Sequence, residues 1–209
     1  MKVLIADDHP IVREGIKRLV QDKFDSALVH ESTNGQDAIE AIRSQGWDIV
    51  ILDINLPDIN GLEVLKEAKV LRAMLPVIIL SVYPEEQYAF RAFKAGADAY
   101  LTKESAPYEL ITAIETVRTG SKYVNPAVVS QLVGRIGSDQ PILPHSLLSD
   151  REMEVLRMFA NGNSLKEIGH TLGISDKTVG TYRARILMKL RLRSTVDLLR
   201  YALDQGIVQ

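Results

Sequence analysis

The chain reads as an α/β domain, an open parallel sheet covered by helices on both faces, followed by a smaller all-α domain. Three observations in its 209 residues predict this. Over roughly the first 120 residues, five short β-rich apolar runs alternate with segments whose apolar residues recur at helical spacing. The alternation then stops at a stretch rich in Gly and Pro, and the chain beyond it has helical periodicity throughout. The charge divides in the same place: residues 1–146 carry 15 Lys+Arg against 20 Asp+Glu, and residues 147–209 carry 10 against 7.

The strand runs are Val3–Ala6, Ala27–His30, Ile49–Leu52, Val77–Leu80 and Ala99–Leu101. Between and after them, five sets recur at helical spacing. They are Ile11, Val12, Ile16, Leu19 and Val20; Ala38, Ile39, Ala41 and Ile42; Leu62, Leu65 and Ala68; Ala89, Phe90 and Phe93; and Leu110, Ile111, Ile114 and Val117. Five strands, each followed by a helix, require a parallel sheet with helices on both faces. The size fits the doubly wound, flavodoxin-like strand order 2-1-3-4-5. Asn125–Ile136 reads as a short helix and Gly137–His145 as a flexible linker. Four helices come next, at about 150–161, 165–172, 176–191 and 195–205. Ser149 with Glu152 and Ser164 with Glu167 have capping-box spacing, Ser175 and Ser194 are N-cap candidates, and Gly162 and Gly173 stand where helices should stop. Only "GIS" joins the second and third, the short connection of a helix-turn-helix. The expected division is residues 1–122, a linking segment 123–146, and 147–209.

The composition, 46% apolar and 25% charged, supplies an ordinary globular core. There is no cysteine, which excludes disulfides and thiolate metal sites. The opening "MKVLIADDHP" is too short and too soon acidic for a signal peptide, and no apolar run approaches the roughly 18 residues of a membrane span. A cytoplasmic protein with no membrane partner is expected.

In an open parallel sheet, ligands bind beyond the carboxyl ends of the strands. The first strand delivers Asp7 and Asp8 there, the third Asp53, the fourth Ser81 and the fifth Lys103. Singly, each has an ordinary structural explanation: a helix N-cap, a turn acid, a solvated lysine. Together they converge, and three carboxylates at one edge repel one another unless a cation lies among them. Oxygen-only ligands suit Mg2+. One carboxylate can then act as nucleophile toward a phosphoryl group, with Lys103 pairing to the phosphate and Ser81 donating to one of its oxygens. His9 and His30 have no evident partner and are read as structural.

The segments "LIADDHP", "ILDINLPDING", "ILSVY" and "KAGADAYLTKES" resemble the receiver domain of bacterial two-component response regulators over residues 1 to about 120. The resemblance implies that Asp53 is the phosphoacceptor, fed from a phosphohistidine on a sensor histidine kinase or phosphotransfer protein. It further implies Mg2+ bound by Asp8, Asp53 and the Asn55 backbone carbonyl, with Asp7 acting through water or from outside the direct ligands. Tyr100 stands at the aromatic switch position and would swing inward as Ser81 moves toward the phosphate.

In "SDKTVGTYRARILMKLRLR", Val179, Ile186 and Leu190 mark a buried stripe. Lys177, Thr178, Thr181 and Arg185 fall opposite it, where base-edge readers should stand; Arg183, Lys189, Arg191 and Arg193 are placed to meet phosphates or flank the site. Six basic residues and no acid lie within 177–193, a charge pattern suited to double-stranded DNA. Residues 148–206 resemble the LuxR-type helix-turn-helix, and the two modules in this order resemble the NarL/FixJ group. Three positions depart from that pattern. Gly169 replaces the usual Ala, an exchange expected to matter little; Gly180 occupies a position often polar or basic; Tyr182 stands where His is commonest, within the DNA-facing set. Gly180 is expected to let the backbone approach the groove closely and leave base reading to neighbours such as Thr181; the alternative is a tolerated drift with looser specificity. The last helix, with Val196, Leu198, Leu199 and Ala202, is implied to dimerise on DNA.

The expected function is a phosphorylation-switched DNA-binding transcription regulator, a homodimer when active, and not an enzyme beyond its own phosphorylation and dephosphorylation. An aspartate-nucleophile phosphohydrolase would also use a strand-end Asp with Mg2+, but it would carry a second acid two residues on, where this chain has Asn55. A constitutive DNA-binding protein with a merely structural receiver would have a broken acid cluster, and this cluster is intact.

Overall fold

A computed structural model describes residues 1–82, 85–125, 145 and 148–208. The chain divides into two compact units, Met1–Ser138 and Asp139–Gln209.

The first unit is a five-stranded parallel sheet: β1 Lys2–Ala6, β2 Leu28–Ser32, β3 Ile49–Asp53, β4 Val77–Ser81 and β5 Ala99–Thr102, in the order β2-β1-β3-β4-β5. Its helices are α1 Pro10–Lys23, α2 Gly35–Ser44, α3 Gly61–Leu71, α4 Glu85–Ala95 and α5 Ala106–Arg118. β3 and β4 are buried at every position, as strands covered on both faces must be. Val3, Ile5, Ile51, Ile78 and Leu101 point to one face, packing with Ile16 and Val20 of α1 and Leu110 and Ile114 of α5. The alternate residues Leu4, Val50, Leu52 and Ile79 are equally buried, and α2 and α3 contribute Ala38, Ile42, Leu62, Leu65 and Ala68.

Pattern reading ended the strands early. β2 runs on through Glu31 and Ser32 because its register with β1 pairs Ile5 with Glu31 and Ala6 with Ser32. It is an edge strand with alternating burial, which leaves Glu31 half-exposed while Ser32 is buried at its end. β3, β4 and β5 each take in one further residue, Asp53, Ser81 and Thr102. Those positions are chemically polar but still paired with neighbours: Asp53 with Leu80, and Ser81 with Thr102.

The second unit holds α6 Asp150–Ala160, α7 Leu165–Thr171, α8 Asp176–Leu190 and α9 Thr195–Asp204. Both capping boxes form in full, Ser149 with Glu152 and Ser164 with Glu167. Ser175 and Ser194 accept from Thr178 N and Asp197 N as N-caps. Gly162 and Gly173 take positive φ values of 86° and 63° just past α6 and α7. α8 ends one residue short of expectation because Arg191 is left-handed, at φ 56°. The short helix expected at Asn125–Ile136 and the linker Gly137–His145 lie outside the described residues except for Asn125 and His145.

One sequence expectation fails in this unit. A Cβ on Gly169 would stand 2.8 Å from the Ile174 carbonyl oxygen and 3.1 Å from Asp176 Oδ1. The turn between α7 and α8 closes against bare backbone, with Ile174 N donating to Gly169 O at 2.9 Å. Gly169 therefore matters to this turn, because an alanine there would have to push the turn away.

Candidate functional site

The strand ends do converge. Asp7 and Asp53 are each 1% exposed, and Ser81 is fully buried at the end of β4. Lys103 Nζ lies 2.6 Å from Asp53 Oδ2 and 2.7 Å from Asp7 Oδ2. Asp53 Oδ1 accepts from the Asn55 backbone N–H at 3.1 Å. Lys103 is brought there because its own N–H bonds the Ser81 carbonyl at 2.8 Å, continuing the β4–β5 ladder. The Thr102 hydroxyl is occupied elsewhere, accepting from Ser105 N at 3.0 Å. Tyr100 is only 1% exposed, so its ring is already inside in this conformation.

Burial raises the Asp53 carboxyl to about 6, and the neighbouring Asp7 charge adds to the rise while Lys103 opposes it. Burial also works against the Lys103 ammonium, but attraction to Asp53 and Asp7 wins and holds it above its ordinary value. The two directions are compatible: Asp53 sits deeper, and there burial outweighs the attraction of Lys103, while for Lys103 attraction to the two carboxylates prevails.

The loop after β3 is shaped from two sides. Gly61 presses its backbone against the Asp53 carbonyl so closely that a Cβ would overlap that oxygen. The Asp58 carboxylate receives the N–H groups of Gly35 at 2.6 Å and Gln36 at 2.9 Å, pinning the loop to the start of α2. Burial works against the Asp58 charge, but these backbone donors win and hold its carboxyl below the ordinary range.

His9, read as structural, belongs to this cluster. Its Nδ1 lies 2.6 Å from Asp8 Oδ1, 3.1 Å from Asp7 Oδ1 and 3.4 Å from Lys103 Nζ. Ligand atoms of Asp7, Asp8, His9 and Asp53 all stand within 4.8 Å of one another, a donor set and spacing that fit a divalent cation. Adjacency was the available signal: residues 7 and 9 flank a strand-to-helix corner, which turns both toward one point. His30 instead packs against Trp47 in a tilted arrangement, with ring centroids 5.6 Å apart.

In the second unit the buried stripe of α8 is Val179, Ile186 and Leu190, as its spacing predicted. Lys177, Thr181 and Arg185 are exposed, while Thr178, Tyr182 and Arg183 are half-buried. The Thr178 hydroxyl lies 2.8 Å from Ser175 Oγ, and Thr181 Oγ1 donates to the Lys177 carbonyl. Lys189 departs from expectation: its ammonium bonds Glu152 Oε2 at 2.6 Å, tying α8 to the capping box of α6. A Cβ on Gly180 would meet nothing within 4 Å, so no packing inside the protein requires glycine there.

An acid cluster at the carboxyl edge of a five-stranded parallel sheet, together with a basic helix-turn-helix, defines a receiver and a DNA-binding module in one chain. Residues 3–115 match the response regulator receiver domain, and residues 146–202 match the bacterial regulatory proteins of the luxR family. The chain belongs to the response regulators, in the group that couples a receiver to a LuxR-type helix-turn-helix, and is a phosphorylation-switched DNA-binding transcription regulator. It is 33% identical to the response regulator UvrY of Escherichia coli K12 over 99% of this chain and 95% of that protein. It is 36% identical to the response regulator GacA of Pseudomonas aeruginosa over 100% of this chain and 98% of that protein. Among solved structures it resembles RcsB of Salmonella enterica serovar Typhimurium bound to the rprA promoter with the phosphomimetic BeF3-. That match has a TM-score of 0.63 at 27% identity, covering 96% of this chain and 98% of RcsB. Among the described residues no helix is long and apolar enough to cross a membrane.

Proposed function

We propose that Asp53 is the phosphoacceptor of this regulator, charged by a sensor histidine kinase or phosphotransfer protein, and that phosphorylation changes dimerisation and DNA binding by residues 147–209. The observation that carries this reading is the buried Asp53 carboxylate held between Lys103 and the Asn55 N–H. An Asp53 oxygen attacks phosphorus, the P–N bond to the donor imidazole breaks, and that imidazole leaves with the bonding pair and takes up a proton. Lys103 turns its ammonium from the carboxylates to a phosphoryl oxygen, and the Ser81 hydroxyl donates to another. Asp8, Asp53 and the Asn55 carbonyl would hold Mg2+, with Asp7 reaching it through water. The chemistry such an ion supplies is neutralisation of charge on the carboxylates and the transferring oxygens. With Tyr100 already inside, phosphate at Asp53 would hold the population in which Ser81 and Tyr100 are both inward, and the receiver shifts between two populations. The chemistry is confined to Asp53 gaining and losing its phosphate.

Residues 1–122 would form the working receiver and 123–146 the link. The donor has an apolar surface to meet: a groove of about 400 Å³ between α1 and α5, lined by Val12, Leu19, Leu80 and Pro107, opens beside Lys103, with Ile11 88% exposed at its rim. On α8, Lys177, Thr181 and Arg185 are the base-reading candidates, joined by Thr178 and Tyr182. Arg183 is placed for phosphates, and Lys189 would have to leave Glu152 to join it. Val196 and Leu203 stay exposed on α9 while Leu198 and Ala202 pack inward, which supports dimerisation through that helix. Intact mass after incubation with a small phosphodonor and Mg2+ tests the reading. One added phosphate on wild type and none on Asp53→Asn is expected. An adduct that survives in Asp53→Asn would place the acceptor elsewhere.

A further inference from the structure

The acid cluster holds one donor that an all-oxygen Mg2+ site does not need. We propose that His9 is a further ligand of the cation at this site, through Nδ1, and that this receiver binds first-row transition divalent ions such as Mn2+ and Co2+ with a nitrogen in their coordination. The inference rests on the cation-binding role of Asp8 and Asp53 just proposed.

His9 is the N-cap residue of α1, where a side chain ordinarily accepts from the helix's own N–H groups. Its imidazole makes no such bond. The backbone does the anchoring instead, with His9 N donating to Asp7 Oδ1 at 2.8 Å, and this turns the ring into the cluster. Nδ1 is the nitrogen that faces the acids, 2.6 Å from Asp8 and 3.1 Å from Asp7. Adjacent donors on a six-coordinate ion lie about 3 Å apart when bond lengths are near 2.1 Å, so these spacings suit shared coordination. A positive charge already sits among the same atoms: the Lys103 ammonium touches Asp7 and Asp53 and stands 3.4 Å from His9 Nδ1. The imidazole is 57% exposed, which leaves it free to adjust by a few tenths of an ångström and leaves room for water ligands. Imidazole nitrogen is a poor partner for hard Mg2+ and a good one for transition ions, so His9 biases the site by chemistry as well as position.

The whole 209-residue chain, stripped by a chelator, is titrated calorimetrically with Mg2+ and with Mn2+ as wild type, His9→Ala, His9→Gln and Asp8→Asn. The Mn2+-loaded forms are then examined by pulsed electron paramagnetic resonance for coupling to nitrogen-14. Wild type should show the imidazole coupling, and both His9 variants should lose it. The preference for Mn2+ over Mg2+ should fall roughly tenfold or more in those variants, the scale on which removing a metal-site residue acts. Bound Mn2+ without nitrogen coupling in wild type overturns the role of His9 and leaves the carboxylate site standing. No binding of either ion overturns both readings. Binding undiminished in Asp8→Asn moves the ion away from the cluster and overturns both as well.

Discussion

Replacing Asp53 by asparagine should remove a pH-dependent cost from the folded receiver. Burial places the Asp53 carboxyl near 6, against an ordinary 3.8. The folded protein therefore holds this proton more tightly than the unfolded chain does. The resulting stabilisation is full below about pH 4 and is lost as pH rises through about 6. The gap corresponds to about 3 kcal/mol of folding free energy, a large part of a domain's margin. The assay is urea unfolding in chelator from pH 4 to pH 8. It is followed through Trp47, the only tryptophan, which is buried in the receiver with its indole N–H on the Ala41 carbonyl at 2.8 Å. Relative to Asp53→Asn, wild type should lose about 3 kcal/mol across that range, because groups titrating independently of Asp53 cancel in the comparison. Excess divalent cation that binds only the folded site should restore much of it at pH 8. A difference between the two proteins that stays flat with pH would refute the assignment of this cost to the buried carboxyl.

Two further outcomes concern the DNA-binding unit. Gly169→Ala should destabilise it by about 1–3 kcal/mol, the usual cost of overpacking, because its Cβ must displace the Ile174 carbonyl; unchanged unfolding of that unit in a denaturant series would show that the turn yields freely. Gly180→Ala should stabilise the same unit by up to about 1 kcal/mol, since the methyl meets open space and glycine is the poorer helix former. Its affinity for operator DNA should fall if the backbone approaches the groove there, and equal affinity and sequence preference in both proteins would refute that approach.

The sequence by itself was enough for the architecture, because alternation of period-two and period-3.6 segments leaves few ways to bury every strand. The strand order, both capping boxes and the α8 stripe of Val179, Ile186 and Leu190 were all legible from local pattern. So was the convergence of Asp7, Asp53, Ser81 and Lys103, since the carboxyl ends of parallel strands share one edge. Strand ends and side-chain partners were not legible in that way. Glu31 and Ser32 join β2 only because β1 pairs with them, a fact about a neighbour 26 residues away in register. Lys189 and Glu152 lie 37 positions apart, and a basic residue on a basic helix gives no sign that a buried acid claims it. Gly169 looked like a neutral exchange because a turn's closeness is a tertiary distance, visible once the Ile174 carbonyl is in place. His9 is the sharpest instance: three consecutive residues name the chemistry, but only the corner between β1 and α1 decides that the imidazole nitrogen turns toward the acids and not toward its own helix.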